Sequence, residues 1–214
     1  MTDLLLNKAH FPVSALGPGT RAGIWVQGCT IACHGCVSRD TWAADPQLAV
    51  PIATVLGWLA SLPRPLDGVT ISGGEPFQQP EALRRLLEGI DVWRATLGKP
   101  LDILVYSGYP LAHLRRHHAG VLALCDAVIA GPYVERRNIG LRWRGSENQE
   151  IAALTPLGHE RYDEVDDTDI PAVQVTVDAG RIWYIGIPRR GDLERAAAHL
   201  EAAGIRQREP SWRT

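Results

Sequence analysis

Three of the four cysteines in this 214-residue sequence lie within eight residues, and they are its strongest chemical signal. Cys29, Cys33 and Cys36 have the spacing C-x3-C-x2-C, whereas Cys125 stands far from them. A disulfide framework spreads its cysteines so that bridges connect distant segments. The clustering therefore favours a metal or iron–sulfur site in a reducing compartment.

The donor set of this cysteine loop (29–36) is compatible with two kinds of site. Three thiolates suit a cubane iron–sulfur cluster, because soft sulfur ligands match iron, and three ligands for four irons would leave one iron open to an exogenous ligand. The alternative is a zinc ion held by the same cysteines with His34 or a remote histidine. We expect His34, between two ligands, to face outward. Cys125 lies in an apolar stretch and is predicted to be buried. Because it is the one cysteine outside the loop, the chain cannot ligate a second, four-cysteine cluster.

A glycine turn (72–76), with the sequence Ser-Gly-Gly-Glu-Pro, directly follows a predicted strand. Gly73 and Gly74 would let the backbone approach a ligand closely, and Glu75 offers an acceptor for an ammonium group. A plain turn in which Pro76 begins the next helix is the alternative interpretation.

The elements that must position these residues are short apolar strands alternating with helices. The predicted strands are 21–27, 67–71, 102–106 and 123–129, and the predicted helices are 46–62, 80–97 and 111–118. Repeated β-α units of this kind indicate an α/β fold with a parallel sheet, open or curled into a partial barrel. Ligands of such sheets bind beyond the carboxyl ends of the strands, where the cysteine loop and the glycine turn both begin.

The pattern changes after residue 131. Apolar runs at 173–177 and 182–187 flank Asp178-Ala179-Gly180-Arg181, which predicts a β-hairpin. A helix over 192–203 follows and is stopped by Gly204. We therefore divide the chain into a core domain, 1–156, and a C-terminal extension, 157–214, whose hairpin and helix pack on the core.

Charge and hydropathy exclude several classes of protein. With 22 Lys and Arg against 24 Asp and Glu, the net charge of −2 lacks the basic excess expected of a nucleic-acid-binding protein. The apolar run at the N-terminus is too short for a signal peptide, and no apolar stretch is long enough to cross a bilayer. We expect a cytoplasmic protein with no nucleic-acid or membrane partner.

Taken together, the motifs resemble the radical S-adenosylmethionine (SAM) superfamily, whose signature is C-x3-C-x2-C after the first strand and a GGEP-like turn after the second. The closer resemblance is to the activating enzymes of class III (anaerobic) ribonucleoside-triphosphate reductases. The stretches that carry it are 17–21, 27–29, 33–36, 40–42, 72–76, 107–109, 131–133 and 143–149. The fold that this resemblance implies is a partial (β/α)6 barrel carrying the C-terminal hairpin and helix as an extension.

The resemblance also implies a chemistry. One [4Fe-4S] cluster would bind SAM, and reduction by a flavodoxin-like donor would cleave SAM to methionine and a 5′-deoxyadenosyl radical, which removes a Cα hydrogen from a glycine of a partner enzyme. The cysteines would be the cluster ligands and the glycine turn would hold the SAM amino group. The implied catalytic and metal-binding residues are Cys29, Cys33 and Cys36, and the implied cofactor-binding residues are Gly35, Gly73, Gly74, Glu75 and Ser107. A turn serine is the alternative for Ser107.

Three features depart from the wider pattern or leave room for other functions. Gly35 replaces the aromatic residue that many superfamily members have before the third cysteine, as in the reductase-activase branch, and Ala130 stands where activases commonly carry Asp. The C-terminal extension is not part of the minimal activase pattern. Alternative functions are a radical SAM enzyme acting directly on a peptide or small metabolite, and a non-catalytic zinc or iron–sulfur module.

A local basic patch consists of Arg136, Arg137, Arg142 and Arg144. It is either a solvated loop or a contact for the SAM carboxylate or an acidic partner.

Overall fold

The computed structural model describes residues 3–165, 173–178, 180–208 and 210–212. The strands are β1 (Asp3–Val13), β2 (Arg21–Val26), β3 (Ala49–Pro51), β4 (Gly68–Gly73), β5 (Asp102–Ser107), β6 (Ala127–Ala130), β7 (Glu150–Ala153), β8 (Val173–Asp178) and β9 (Arg181–Gly186). The helices are α1 (Ile52–Ser61), α2 (Pro80–Arg94), α3 (Leu111–His117), α4 (Ala119–Leu122), α5 (Pro156–Tyr162) and α6 (Asp192–Ala202).

A seven-stranded sheet forms the centre of the molecule, in the order β3-β1-β2-β4-β5-β6-β7. Strands β2, β4, β5 and β6 run parallel, while β1, β3 and β7 pair antiparallel at the two sides. The predicted α/β class is confirmed. The described residues contain four parallel strands rather than the six of a (β/α)6 repeat, because antiparallel strands continue the sheet on both sides.

One face of the sheet is covered by helices. In α2, Leu83, Leu86, Leu87 and Ile90 recur at helical spacing and are buried against the sheet together with Leu59 of α1. Each such side chain contributes about 2 kcal/mol relative to exposure. The opposite side of α2 carries the ion pairs that Arg84 and Arg85 make with Glu81.

The other face is covered by α5 and by the hairpin β8–β9. Tyr162 of α5 packs with Leu104 and Ile129, and Ile185 of β9 packs with Trp25. Gln174 of β8 also accepts a hydrogen bond from the Ser14 N–H at 2.9 Å and donates one to the Pro12 carbonyl at 2.7 Å. The predicted hairpin and C-terminal helix are thus present, and the hairpin packs on the sheet, although Ala179 of the hairpin turn lies outside the described residues.

A buried ion pair connects the amino ends of the parallel strands. Arg21 of β2 and Asp102 of β5 are both 0% exposed and are joined by two hydrogen bonds, of 2.9 and 2.7 Å. Burial alone would raise the pKa of Asp102, but the Arg21 charge and the Tyr162 hydroxyl hold it below its ordinary value. This network fixes the end of the sheet opposite the cysteine loop.

Two predicted elements begin several residues later than expected, and the helix expected over 80–97 ends at Arg94. The helix expected over 46–62 begins only at Ile52, because Pro51 biases the preceding residue toward an extended conformation and 49–51 pair with β1 instead. The strand expected over 123–129 begins at Ala127, after the short helix α4. Within the described ranges, no helix is both long enough and apolar enough to span a bilayer.

Candidate functional site

The cysteine loop begins where β2 ends. The N–H groups of Gly28 and Cys29 donate to the carbonyls of Thr41 and Trp42 at 2.7 and 2.9 Å. Gly28 adopts a φ of 100°, a conformation that favours glycine. These bonds hold the loop beyond the carboxyl end of the strand, as the alternation of strands and helices predicts.

The three thiols share one cleft with the glycine turn. Cys29, Cys33 and Cys36 line this open cleft together with Glu75 and Ser107. In the described part of the chain, no three His, Cys, Asp or Glu side chains converge tightly enough to hold a single metal ion.

The surroundings of two of the cysteines disfavour the thiolate form as long as no metal is bound. Burial raises the pKa of Cys33 and of Cys36, and the neighbouring thiols raise both further because adjacent thiolates repel each other. Iron would compensate this charge, since metal binding favours the deprotonated thiol. Three soft donors around one space therefore fit an iron–sulfur cluster.

N–H groups of the protein point at two of these sulfur atoms. The Ser38 N–H lies 3.4 Å from Sγ of Cys36, which also receives the side-chain N–H of Trp42, while the Tyr133 N–H is directed at Cys33. These donors partly offset the effect of burial on the two pKa values. Trp42 and Tyr133 lie in two of the stretches that carry the family resemblance, 40–42 and 131–133, but the sequence alone assigns them no contact with a cysteine.

The two glycines of the turn bring two loops into backbone contact. The Gly74 N–H donates to the Val26 carbonyl and the Glu75 N–H to the Gly28 carbonyl, each at 2.8 Å. A Cβ added at Gly74 would lie 2.3 Å from the Gly28 oxygen, and one at Gly73 would lie 2.6 Å from the Val26 nitrogen. The close backbone approach predicted for these glycines is thus an approach to Val26 and Gly28, just before the cysteine loop. Both glycines also line the cleft.

Glu75 is held by three hydrogen bonds. Its Oε1 accepts from the Phe77 N–H at 3.0 Å and from the Ser107 hydroxyl at 2.9 Å, and its Oε2 accepts from the Gly108 N–H at 2.7 Å. Burial, at 1% exposure, raises the pKa of Glu75 to about 7 although these bonds act in the opposite direction. A carboxylate has about four acceptor positions, so Oε2 retains one for an incoming donor.

Ser107 lines the cleft but makes its described contacts with the protein. Besides donating to Glu75, its oxygen accepts a hydrogen bond from the Tyr109 N–H at 3.0 Å. The serine therefore orients the carboxylate and stabilises the turn after β5, while its contact with SAM stays a prediction.

Gly35 makes room for a side chain from another loop. Its φ is 76°, and a Cβ there would lie 2.9 Å from the carboxyl carbon of Glu135. An oxygen of that carboxylate is 3.0 Å from Nδ1 of His34, whose side chain is 93% exposed and faces outward as expected. Gly35 is not among the residues that line the cleft, so its contact with a cofactor stays a prediction.

The loop after β6 is shaped by the Arg-Gly-Ser-Glu-Asn-Gln stretch, 144–149. Side-chain amides of Gln149 and Asn148 donate to the carbonyls of Gly131 and Pro132 at 2.9 and 2.7 Å. Ala130, the departure noted in the sequence, is buried in the apolar layer between the sheet and the helices and does not line the cleft.

The C-terminal extension completes the wall of the cleft. Ile187 and Pro188, which follow β9, line it, and the Pro188 carbonyl accepts a hydrogen bond from Asn138 at 3.1 Å. Tyr106 and Tyr133 also contribute to the wall. No local sequence signal indicates Ile187 or Pro188 as site residues, because their approach depends on how the hairpin packs.

Comparison with known proteins identifies the family. The family described as "4Fe-4S single cluster domain" matches residues 15–152. The anaerobic ribonucleoside-triphosphate reductase-activating protein of Escherichia coli K12 is 31% identical over 151 residues, covering 68% of this chain and 96% of that protein. The protein of the same name from Haemophilus influenzae is 32% identical over 148 residues, covering 66% and 94%, and that of bacteriophage T4 is 30% identical over 142 residues, covering 65% and 87%. The chain therefore belongs to the 4Fe-4S single cluster domain family, together with the anaerobic ribonucleoside-triphosphate reductase-activating proteins.

Proposed function

We propose that this chain is a radical SAM activating enzyme that binds one [4Fe-4S] cluster and SAM and generates a glycyl radical on a partner enzyme. Its relatives are named as activators of anaerobic ribonucleoside-triphosphate reductase. The observation that carries the proposal is the single cleft lined by three thiols and by the buried carboxyl group of Glu75. A binding module without catalysis would not need this carboxyl group beside the thiols.

Cys29, Cys33 and Cys36 would hold the cluster. When bound and reduced, the cluster supplies the electron that cleaves SAM. The N–H groups of Ser38 and Trp42 favour the thiolate form of Cys36, because hydrogen bonds to sulfur stabilise negative charge.

Glu75 would hold the amino group of SAM through Oε2, beside the backbone of Gly73 and Gly74. The Ser107 hydroxyl and the Gly108 N–H fix the carboxyl group in place. Because the pKa of Glu75 is near 7, the carboxyl group loses its proton readily when a positively charged group or a hydrogen-bond donor binds beside it.

Apolar side chains would exclude water from the reacting groups. Ile31, Val37 and Trp42 line the cleft from the connection between β2 and β3, and Ile187 lines it from the C-terminal extension. Exclusion of water strengthens the electrostatic contacts of the ligand and protects a reactive intermediate from side reactions.

Several finer features belong to the same proposal. We place the four parallel strands in a partial radical SAM barrel and assign residues 1–156 to the catalytic core and 157–214 to the extension. We place the enzyme in the cytoplasm, because three clustered free thiols need a reducing compartment. A flavodoxin-like protein would donate the electron.

One observation favours a second candidate function. The family match ends at residue 152, yet Ile187 and Pro188 from beyond that limit line the cleft. A changed wall would suit a different substrate, so direct hydrogen abstraction from a peptide or small metabolite is the second candidate.

Transfer of deuterium tests the proposed function. The reduced, reconstituted enzyme would be mixed with SAM and with a glycyl radical enzyme encoded near its gene, labelled with Cα-deuterated glycine. We expect a glycyl radical signal by electron paramagnetic resonance and deuterium in 5′-deoxyadenosine by mass spectrometry. Formation of 5′-deoxyadenosine with neither radical nor deuterium would favour the second candidate.

A further inference from the structure

Four arginines lie on two separate segments that contact each other beside the cleft, and we call them the arginine rim: Arg136, Arg137, Arg189 and Arg190. Arg136 and Arg137 belong to the loop after β6, and Arg189 and Arg190 to the connection between β9 and α6. All four side chains are exposed. Each pair is adjacent in sequence to a residue that lines the cleft, Asn138 in the first segment and Pro188 in the second.

Specific contacts hold the two segments together. Besides the hydrogen bond from Asn138 to the Pro188 carbonyl, the Arg189 side chain crosses Gly140, where a Cβ would lie 2.5 Å from Nε. Glu135 bridges His34 of the cysteine loop, at 3.0 Å, and Arg190, at 3.9 Å. The rim is therefore tied to the cysteine loop as well as to the extension.

Neighbouring acids compensate only part of the rim's charge. Arg137 pairs with Glu147 at 2.8 Å, and Arg190 shares Glu135 with His34. No ion-pair partner for Arg136 or Arg189 occurs among the residues that the structure describes. The four arginines and two glutamates leave a net charge of +2, in a chain whose total is −2. Local charge of one sign around a cleft attracts a partner of the opposite sign.

We propose that the arginine rim is a docking surface for an acidic segment of the partner protein, which presents the residue to be attacked to the cleft. This inference rests on the proposed function, since it assumes that the substrate is a polypeptide. Arginine clusters recognise carboxylates through paired, charge-assisted hydrogen bonds. Because Arg189 and Arg190 lie outside the family match at 15–152, this half of the rim distinguishes the chain's partner from the partners of its relatives.

A pair of peptides tests the docking surface. One fluorescein-labelled peptide carries a glycine between two pairs of glutamates, and the other has glutamine at those four positions. Their binding to the full-length, anaerobically reconstituted protein would be followed by fluorescence anisotropy. We expect the acidic peptide to bind about tenfold more tightly at low ionic strength, and the two to converge near 1 M salt, where the Debye length is about 3 Å.

Charge reversal with a matched control assigns the effect to the rim. In the double variant Arg189→Glu with Arg190→Glu we expect the preference for the acidic peptide to disappear. The control, Lys99→Glu with Arg116→Glu, makes the same change of net charge at exposed sites away from the cleft and should keep the preference. Circular dichroism and iron content would establish that both proteins are folded and loaded.

Every other outcome counts against the docking surface. It is overturned if the two peptides bind alike or not at all, if the rim variant keeps the preference, or if the control loses it equally. It is also overturned if the rim variant binds the peptides normally but is reduced more slowly by flavodoxin, because the rim would then receive the electron donor. Cleavage of SAM by the dithionite-reduced wild-type protein, which needs no partner, separates failure of the docking surface from failure of the proposed function.

Discussion

The raised pKa of Glu75 predicts that the stability of the cofactor-free protein depends on pH. Burial raises this pKa from 4.5 in the unfolded chain to about 7 in the folded protein, so the folded state holds its proton more tightly. Stability is therefore lost as pH rises between these two values. Between about pH 5.5 and pH 8, the contribution of Glu75 to the free energy of unfolding should fall by about 2 kcal/mol.

Replacement of Glu75 by glutamine removes this titration. The amide keeps the size of the side chain but leaves the Gly108 N–H facing an NH₂ group or unpaired, a cost of about 1–3 kcal/mol that does not vary with pH. The variant should thus be less stable than wild type near pH 5.5, and this deficit should shrink by about 2 kcal/mol, or reverse, near pH 8.

Urea unfolding of the cofactor-free protein at the two pH values measures this difference. Glu160→Gln, a change at an exposed glutamate of α5, serves as the control and should follow the wild-type pH dependence. Taking differences between variants cancels the contributions of all other titrating groups. If Glu75→Gln and wild type lose the same free energy between the two pH values, the reasoning that burial controls this carboxyl group is wrong.

Three further predictions concern the backbone, the fourth cysteine and the buried ion pair. Gly74→Ala places a Cβ 2.3 Å from the backbone oxygen of Gly28 and should lower the free energy of unfolding by several kcal/mol. The control Gly57→Ala has open space around it in α1 and should raise this free energy by up to about 1 kcal/mol. Equal effects of the two variants in urea unfolding would contradict the backbone contact. Cys125→Ala should keep the full iron content of the reconstituted protein and cost about 1 kcal/mol, because this thiol is buried away from the cleft; loss of iron would make it a ligand. Asp102→Asn should cost about 3–5 kcal/mol by leaving a buried guanidinium without its charged partner; a melting temperature within a degree or so of wild type would show that the pair matters little.

The parts of the fold that could be predicted are those with strong local patterns. Helix α2 and strands β4 and β5 have clear apolar periodicity, and their interiors agree with the structure. Strand β1 was missed because its residues Asp3–Val13 are mostly half-buried and do not alternate between apolar and polar. Strand β7 has only four residues, too few for a periodic signal. Both are defined by the strands they pair with, β1 by β2 and β3 and β7 by β6, and not by a local pattern.

In the functional site, too, the features that could be predicted are those with a local sequence pattern. The three cysteines and Glu75 could be identified because their chemistry is set by spacing over a few residues. Ile187 approaches the cleft only because the hairpin packs across the sheet. Glu135 contacts the cysteine loop because Gly35 has no side chain and leaves space for it. No local sequence pattern predicts either contact, so both are seen only in the folded structure.

The formation of 5′-deoxyadenosine from SAM by the dithionite-reduced, reconstituted protein tests the central claim most directly, when wild type is compared with Cys33→Ala and Cys125→Ala. The account predicts 5′-deoxyadenosine and methionine in equal amounts from wild type and from Cys125→Ala, and none from Cys33→Ala. An active Cys33→Ala variant, or a wild-type protein that holds four irons and four sulfides but cleaves no SAM, would contradict it.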